Sequence, residues 1–321
     1  MQVFLEPIEP SNFLRNPHLH TIAGHLKPSE KLKTNGKQLE IPVSGEDRLS
    51  CHFYEGSLPV IAYLFHGLAG STDSGYMHRI GLHLLKLGLS VLLVNHRGCG
   101  SGAGLAKSPY HSGRAEDLSD VVSWGKKSFP SFTHIAVGFS LSGNALLLLG
   151  AKQRGIVQPD FAIAVCPPID LGISAKLLSQ GLNRVYDFKF YRQARRDAFT
   201  MNLIAQESTK LPRISSIYNF DKLFTGPRGG FDSREAYYAQ CSAMNFLNDI
   251  SIPTFLLVAQ DDPFVPVETF LKTERSQNVH LHIEKFGGHM GFLNKKPLPG
   301  IKSKRWMDYA VVKQIQSFLD F

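Results

Sequence analysis

From about residue 58 the chain repeats one pattern, a short unbroken apolar run followed by an amphipathic stretch. The apolar runs lie at 58–65 (LPVIAYLF), 89–95, 134–138, 161–166, 252–259 and 279–286. The amphipathic stretches lie at 75–87, 116–127, 143–152 and 306–318. A strand with one wet face alternates apolar and polar residues, whereas one covered on both faces reads as a continuous apolar run. The pattern therefore predicts six parallel strands with helices on both faces. Upstream, 38–43 and 48–54 flank a short Ser-Gly-Glu-Asp turn and predict an antiparallel hairpin at the sheet edge. The expectation is an α/β protein with a mostly parallel sheet of about eight strands.

The segment 170–250 breaks the rhythm. It has no clear buried strand and many aromatics, among them Tyr186, Phe190, Phe220, Phe224, Tyr237 and Tyr238. About eighty residues are too many for a plain crossover. They predict a helical cap inserted between two core strands, over the carboxyl edge where open α/β sheets bind ligands. The 321 residues then make a single domain carrying that cap.

Composition excludes several function classes. Hydrophobic residues make up 43% of the chain, enough for a full core. No apolar run is long enough to span a bilayer. The start, MQVFLEPIEPSNFLRNPHL, lacks the basic and apolar regions of a signal peptide. Four scattered cysteines, Cys51, Cys99, Cys166 and Cys241, then read as reduced thiols in a cytoplasmic protein. The pairs His18/His20 and His280/His282 lack neighbours with ligand spacing, so no metal is expected. The net charge of +8 is spread out and no nucleic-acid motif accompanies it. Peripheral contact with anionic lipid fits the basic stretches at 27–37, 192–196 and 295–305.

Chemistry enters at Gly138-Phe139-Ser140-Leu141-Ser142-Gly143, between a predicted strand and a predicted helix. This is the setting of a nucleophile elbow, G-x-S-x-G, with Ser142 at the fifth position. The turn projects the Ser140 hydroxyl above the sheet, and the helix N-terminus behind it favours a developing oxyanion. A serine nucleophile needs a base oriented by an acid. Asp261 and Asp262 follow the fifth strand; Asp262, before P-x-V-P, is preferred as the acid and Asp261 remains the alternative. The unused aspartate is expected to cap the next helix. His289, in Gly287-Gly288-His289-Met290-Gly291, is the expected base. His66-Gly67-Leu68 follows the first parallel strand. The amides of Leu68 and Leu141 are the expected oxyanion donors, with His66 supporting its loop. No nucleotide cofactor is expected, because the loop at 95–100 lacks G-x-G-x-x-G spacing.

With these motifs in order, the chain resembles the α/β-hydrolase superfamily, and within it the YheT-like branch. Asn16-Pro17-His18-Leu19-His20-Thr21, Asn95-His96-Arg97-Gly98-Cys99, Tyr110-His111-Ser112-Gly113, Gly230-Phe231 with Tyr237-Tyr238, and the His289 loop each resemble a motif of that branch. Ser142 departs from the glycine usual there. The resemblance implies a serine hydrolase with a Ser140–His289–Asp262 relay and no cofactor or metal. Relatives act on medium-chain esters, acylglycerols and phospholipids, and some transfer acyl groups to alcohol. The expected activity is hydrolysis of short- or medium-chain acyl esters. Alternatives are acyl transfer or lipase action in the same site, and a non-catalytic binding module.

Overall fold

The computed structural model describes residues 4–27, 29–32, 36–201 and 211–320. The expected cap segment is therefore described except for 202–210, and the basic stretch at 27–37 only in part. Eight strands form one sheet: β1 (Lys37–Pro42), β2 (Arg48–Tyr54), β3 (Val60–Phe65), β4 (Ser90–Val94), β5 (Thr133–Phe139), β6 (Phe161–Val165), β7 (Thr254–Ala259) and β8 (Val279–Glu284). Their order is β1-β2-β4-β3-β5-β6-β7-β8. The β1–β2 and β2–β4 pairs are antiparallel and every other pair is parallel.

The helices are α1 (Pro17–Leu26), α2 (Gly75–Lys86), α3 (Ala115–Ser128), α4 (Leu141–Gly150), α5 (Leu171–Leu178), α6 (Arg184–Thr200), α7 (Ile217–Phe220), α8 (Gly226–Arg228), α9 (Arg234–Cys241), α10 (Val267–Lys272) and α11 (Trp306–Phe318). None of the described helices is long and apolar enough to cross a membrane. Successive residues of β3 enter opposite cores. Ile61, Tyr63 and Phe65 pack on the side of α3 and α4, and Ala62 and Leu64 on the side of α2 and α11. That double burial is the reason the strand shows no alternation.

Several element edges differ from the sequence reading by one or two residues, and two of them have a local cause. β7 begins at Thr254, two residues late, because Pro253 has no N–H for the ladder. α4 begins at Leu141, two residues early, because the elbow joins strand to helix with no intervening loop; the Gly143 amide already donates to Ser140 O at 2.8 Å.

Strand order positions the site. The chain leaves β3 to form β4 on one side and returns to form β5 on the other, so β3 and β5 are neighbours. The loops after them therefore part at a topological switch point, where a crevice opens. Between β6 and β7 lie α5 through α9, and α5, α6, α7 and α9 line the upper wall of that crevice.

Candidate active site

Ser140 lies directly after β5 with φ 51° and ψ −117°, backbone that a non-glycine residue adopts only under strain. Close approach holds it there. A side chain at Gly138 would meet Ser142 O at 2.6 Å, so the strand can turn into α4 only with glycine at that position. Ser140 Oγ lies 2.9 Å from His289 Nε2, and His289 Nδ1 lies 2.8 Å from Asp262 Oδ2. The three side chains come from loops after three different strands. Asp262 Oδ1 accepts the amides of Phe264 and Val265 at 3.1 and 3.0 Å, which fixes the carboxylate and leaves Oδ2 for the histidine.

One expectation is corrected. Asp261 caps no helix; α10 follows Pro266 without a side-chain cap. Its Oδ1 accepts the Gly288 amide at 2.8 Å, so it ties down the histidine loop from behind. Burial raises its carboxyl above the usual range.

The histidine loop is also clamped from the N-terminal side. Asn16 caps α1, accepting the amides of His18 and Leu19. Thr21 Oγ1 accepts the His289 amide at 2.9 Å and donates to Pro17 O at 2.8 Å. His20 Nε2 accepts the Leu293 amide at 2.6 Å. Gly288 has φ 53°, and a side chain there would reach Thr21 Oγ1 at 2.4 Å. The N-terminal N-P-H-L-H-T motif is thus the seat of the His289 loop. Sequence reading quoted the motif but missed this role, because the partners are 268 residues apart.

The loop after β3 packs against the elbow; a side chain at Gly67 would sit 3.0 Å from Ser140 Cβ. Leu68 and Leu141 line one cavity with Ser140. The Leu141 amide is in the first turn of α4, where amides have no intrahelical acceptor. His66 supports its loop: Nδ1 pairs with Gly67 O at 2.8 Å and Nε2 accepts the His96 amide at 3.2 Å. Burial lowers its pKa to about 4.

Ser142, the departure from glycine, is fully buried. Its hydroxyl donates to His66 O and lies 2.6 Å from His96 Nε2. Tyr110 stacks on His96 with ring centroids 4.0 Å apart. The serine therefore links the elbow helix to the loop that carries Leu68.

The remaining motifs hold the walls. Arg97 forks onto Asp117 at 2.7 and 2.6 Å and also pairs with Asp47. The Ser112 amide donates to Tyr237 Oη at 3.1 Å, and His111 meets Phe231 and Tyr237 edge-on. Asn144 donates to Ser112 Oγ and Cys241 O at 2.8 and 2.7 Å, tying α4 to the upper wall.

Above Ser140 lies a cavity of about 1060 Å³, its open mouth included. Most of its wall is apolar, with Leu171, Leu178, Phe190, Phe220, Phe224 and Val265 prominent. Asp197 and Asp221 also reach it, and burial raises both carboxyls to about 6. Phe264 packs on the His289 ring with centroids 4.3 Å apart. Cys166 stands beside Asp262 and His289, its sulfur within 4.8 Å of ligand-type atoms of both. Burial, and then the Asp262 charge, raise that thiol well above its usual pKa. All four cysteines are free and buried.

Known proteins share this fold. A family model described as the alpha/beta hydrolase fold matches residues 63–296. YheT of Escherichia coli (strain K12) is 31% identical over 264 residues, covering 80% of this chain and 76% of its own. Phospholipase ABHD3 of Homo sapiens is 28% identical, covering 91% of this chain and 72% of its own. Monoacylglycerol lipase of Saccharomyces cerevisiae is 25% identical, covering 80% and 59%. Among solved structures, the Pyrococcus furiosus esterase Pf2001 superposes with a TM-score of 0.60 at 18% identity, covering 99% of this chain and 98% of that one. The chain belongs to the α/β-hydrolase fold family, in its YheT-like branch.

Proposed function

We propose that this carboxylic-ester hydrolase works through Ser140, His289 and Asp262 and prefers esters with an apolar acyl chain. The observation that carries the reading is the hydrogen-bonded chain from Ser140 Oγ through His289 to Asp262, at the floor of a mostly apolar cavity. His289 Nε2 takes the hydroxyl proton as Ser140 Oγ bonds to the ester carbonyl carbon. Asp262 holds the Nδ1 proton in place and stabilises the imidazolium. The amides of Leu68 and Leu141 donate to the oxyanion. His289 then returns its proton to the departing alkoxide, leaving an acyl-Ser140 ester. Water attacks that ester by the same steps in reverse and releases the acid. The acyl chain lies against Leu171, Leu178 and Phe220.

Acyl transfer is the second reading. A Saccharomyces cerevisiae relative named Medium-chain fatty acid ethyl ester synthase/esterase 2 is 26% identical over 275 residues. Ethanol replacing water in the last step would give an ethyl ester, and product analysis with added ethanol separates the two.

The test of the relay is fluorophosphonate labelling with site mapping. Wild type is expected to label at Ser140, and Ser140→Ala not to label. A folded wild type that stays unlabelled would contradict the reading. A rate unchanged from acetate to decanoate esters would remove the apolar acyl preference alone.

A further inference from the structure

Helix α1 is amphipathic the wrong way round. Its buried face holds His20 and Gly24, while Leu19, Ile22 and Leu26, spaced three and four apart on one face, are 47%, 39% and 71% exposed. Phe13, just before it, is 63% exposed. A helix normally turns its apolar stripe inward, and an exposed one marks a surface that is covered in use.

Helix α6 repeats the anomaly beside it. The two are joined by Tyr186, which stacks on His18 at 5.9 Å, and by Lys189, whose Nζ donates to His25 Nε2 at 2.6 Å. The exposed face of α6 reads Val185, Phe188, Lys189, Arg192, Arg196, Phe199, in helical register. It mixes aliphatic, aromatic and basic residues and carries no acid. The two acids of α6 turn away: Asp187 is buried and Asp197 lines the cavity. α1 contains no acid at all. Arg15, Lys27 and Arg184 stand exposed at the ends of the two helices.

This face lies just outside the reacting groups. Thr21 of α1 holds the His289 amide, and Tyr186 of α6 packs on Phe264, which packs on His289. The opposite side of α6 supplies Phe190, Ala194 and Ala198 to the cavity wall. One helix thus separates the cavity from an apolar and basic outer surface.

We propose that α1 and α6 form a docking face for an anionic lipid surface. Leu19, Ile22, Leu26, Val185 and Phe188 enter the acyl boundary, and Lys189, Arg192 and Arg196 meet headgroup phosphates. The charge complementarity argues for lipid over a second copy of the chain, because two such basic faces repel. The face does not rest on the hydrolytic reading, since vesicle binding and turnover are read separately.

The test is co-sedimentation of the full chain with phosphatidylcholine vesicles and with vesicles of equal parts phosphatidylcholine and phosphatidylserine. Wild type is expected to bind the anionic vesicles, and less so as salt rises. Leu19→Ser/Ile22→Ser/Leu26→Ser and, separately, Arg192→Glu/Arg196→Glu are each expected to weaken binding by about tenfold or more. Both should keep a wild-type circular dichroism spectrum, and Arg192→Glu/Arg196→Glu should keep wild-type hydrolysis of a soluble short-chain ester. No binding by wild type, or undiminished binding by both variants, would overturn the proposal. A wild-type dimer that the triple variant returns to monomer would assign the face to a second copy and overturn it equally.

Discussion

Asp261 and Asp262 are adjacent carboxylates with different partners, and that difference predicts their mutants. Asp262 faces His289 Nδ1 at 2.8 Å, whereas Asp261 faces backbone amides of the histidine loop, Gly288 first. Asp262→Asn keeps the shape but favours the wrong imidazole tautomer, and kcat should fall by about 10⁴. Asp261→Asn leaves a carbonyl oxygen for the Gly288 amide, and kcat should stay within about tenfold of wild type. Kinetics on a soluble p-nitrophenyl ester check both, and equal losses would contradict the assignment. The sequence preference for Asp262 rested on the P-x-V-P that follows it and puts it at the loop apex; the amides its Oδ1 accepts were visible only in the structure. The task of Asp261 was not legible, since its partner belongs to a loop 27 residues away. Ser142 was legible as small enough for the elbow, but its buried contacts with His66 and His96 depend on how two loops meet.

At the scale of elements, the central strands were predicted to within two residues, because burial on both faces writes itself as an apolar run. α1 was different. Its pattern belongs to a motif with no evident chemistry, and its work is to seat the His289 loop through Thr21. Thr21 touches no reacting atom and is a positioning residue. Thr21→Val leaves the His289 amide unpaired and partly buried, at a cost of about 1–3 kcal/mol. The expected result is a kcat lower by about tenfold with KM little changed. Thr21→Ser keeps the acceptor oxygen and should restore the rate. A loss that serine does not rescue would assign Thr21 to packing alone.

At the scale of the whole molecule, buried titratable groups set the acid limit of the fold. His20 and His66 are lowered to about 4 from 6.5, and His96 and His111 well below 6.5, all chiefly by desolvation. Below pH 6.5 the unfolded chain therefore takes up protons at these histidines that the native state resists. Asp197 and Asp221 act in the opposite sense: raised to about 6 from 3.8, they take up two protons in the native state first. The net excess lies with the unfolded chain, so stability falls as pH falls. Urea melts at pH 7 and pH 5 check this, with the lower midpoint expected at pH 5; a higher one would put the carboxyls in control.

The sequence alone determined the parallel sheet, the edge hairpin, the strand-to-helix turn at Ser140 and the loops that carry Asp262 and His289, because periodicity and turn chemistry are local properties of the chain. Only the tertiary structure decided that Asp261 and Thr21 hold the His289 loop and that Ser142 joins α4 to the Leu68 loop. It alone showed that α1 and α6 turn apolar side chains outward. Each of these depends on which distant segments share a surface, and strand order, not local pattern, brings those segments together.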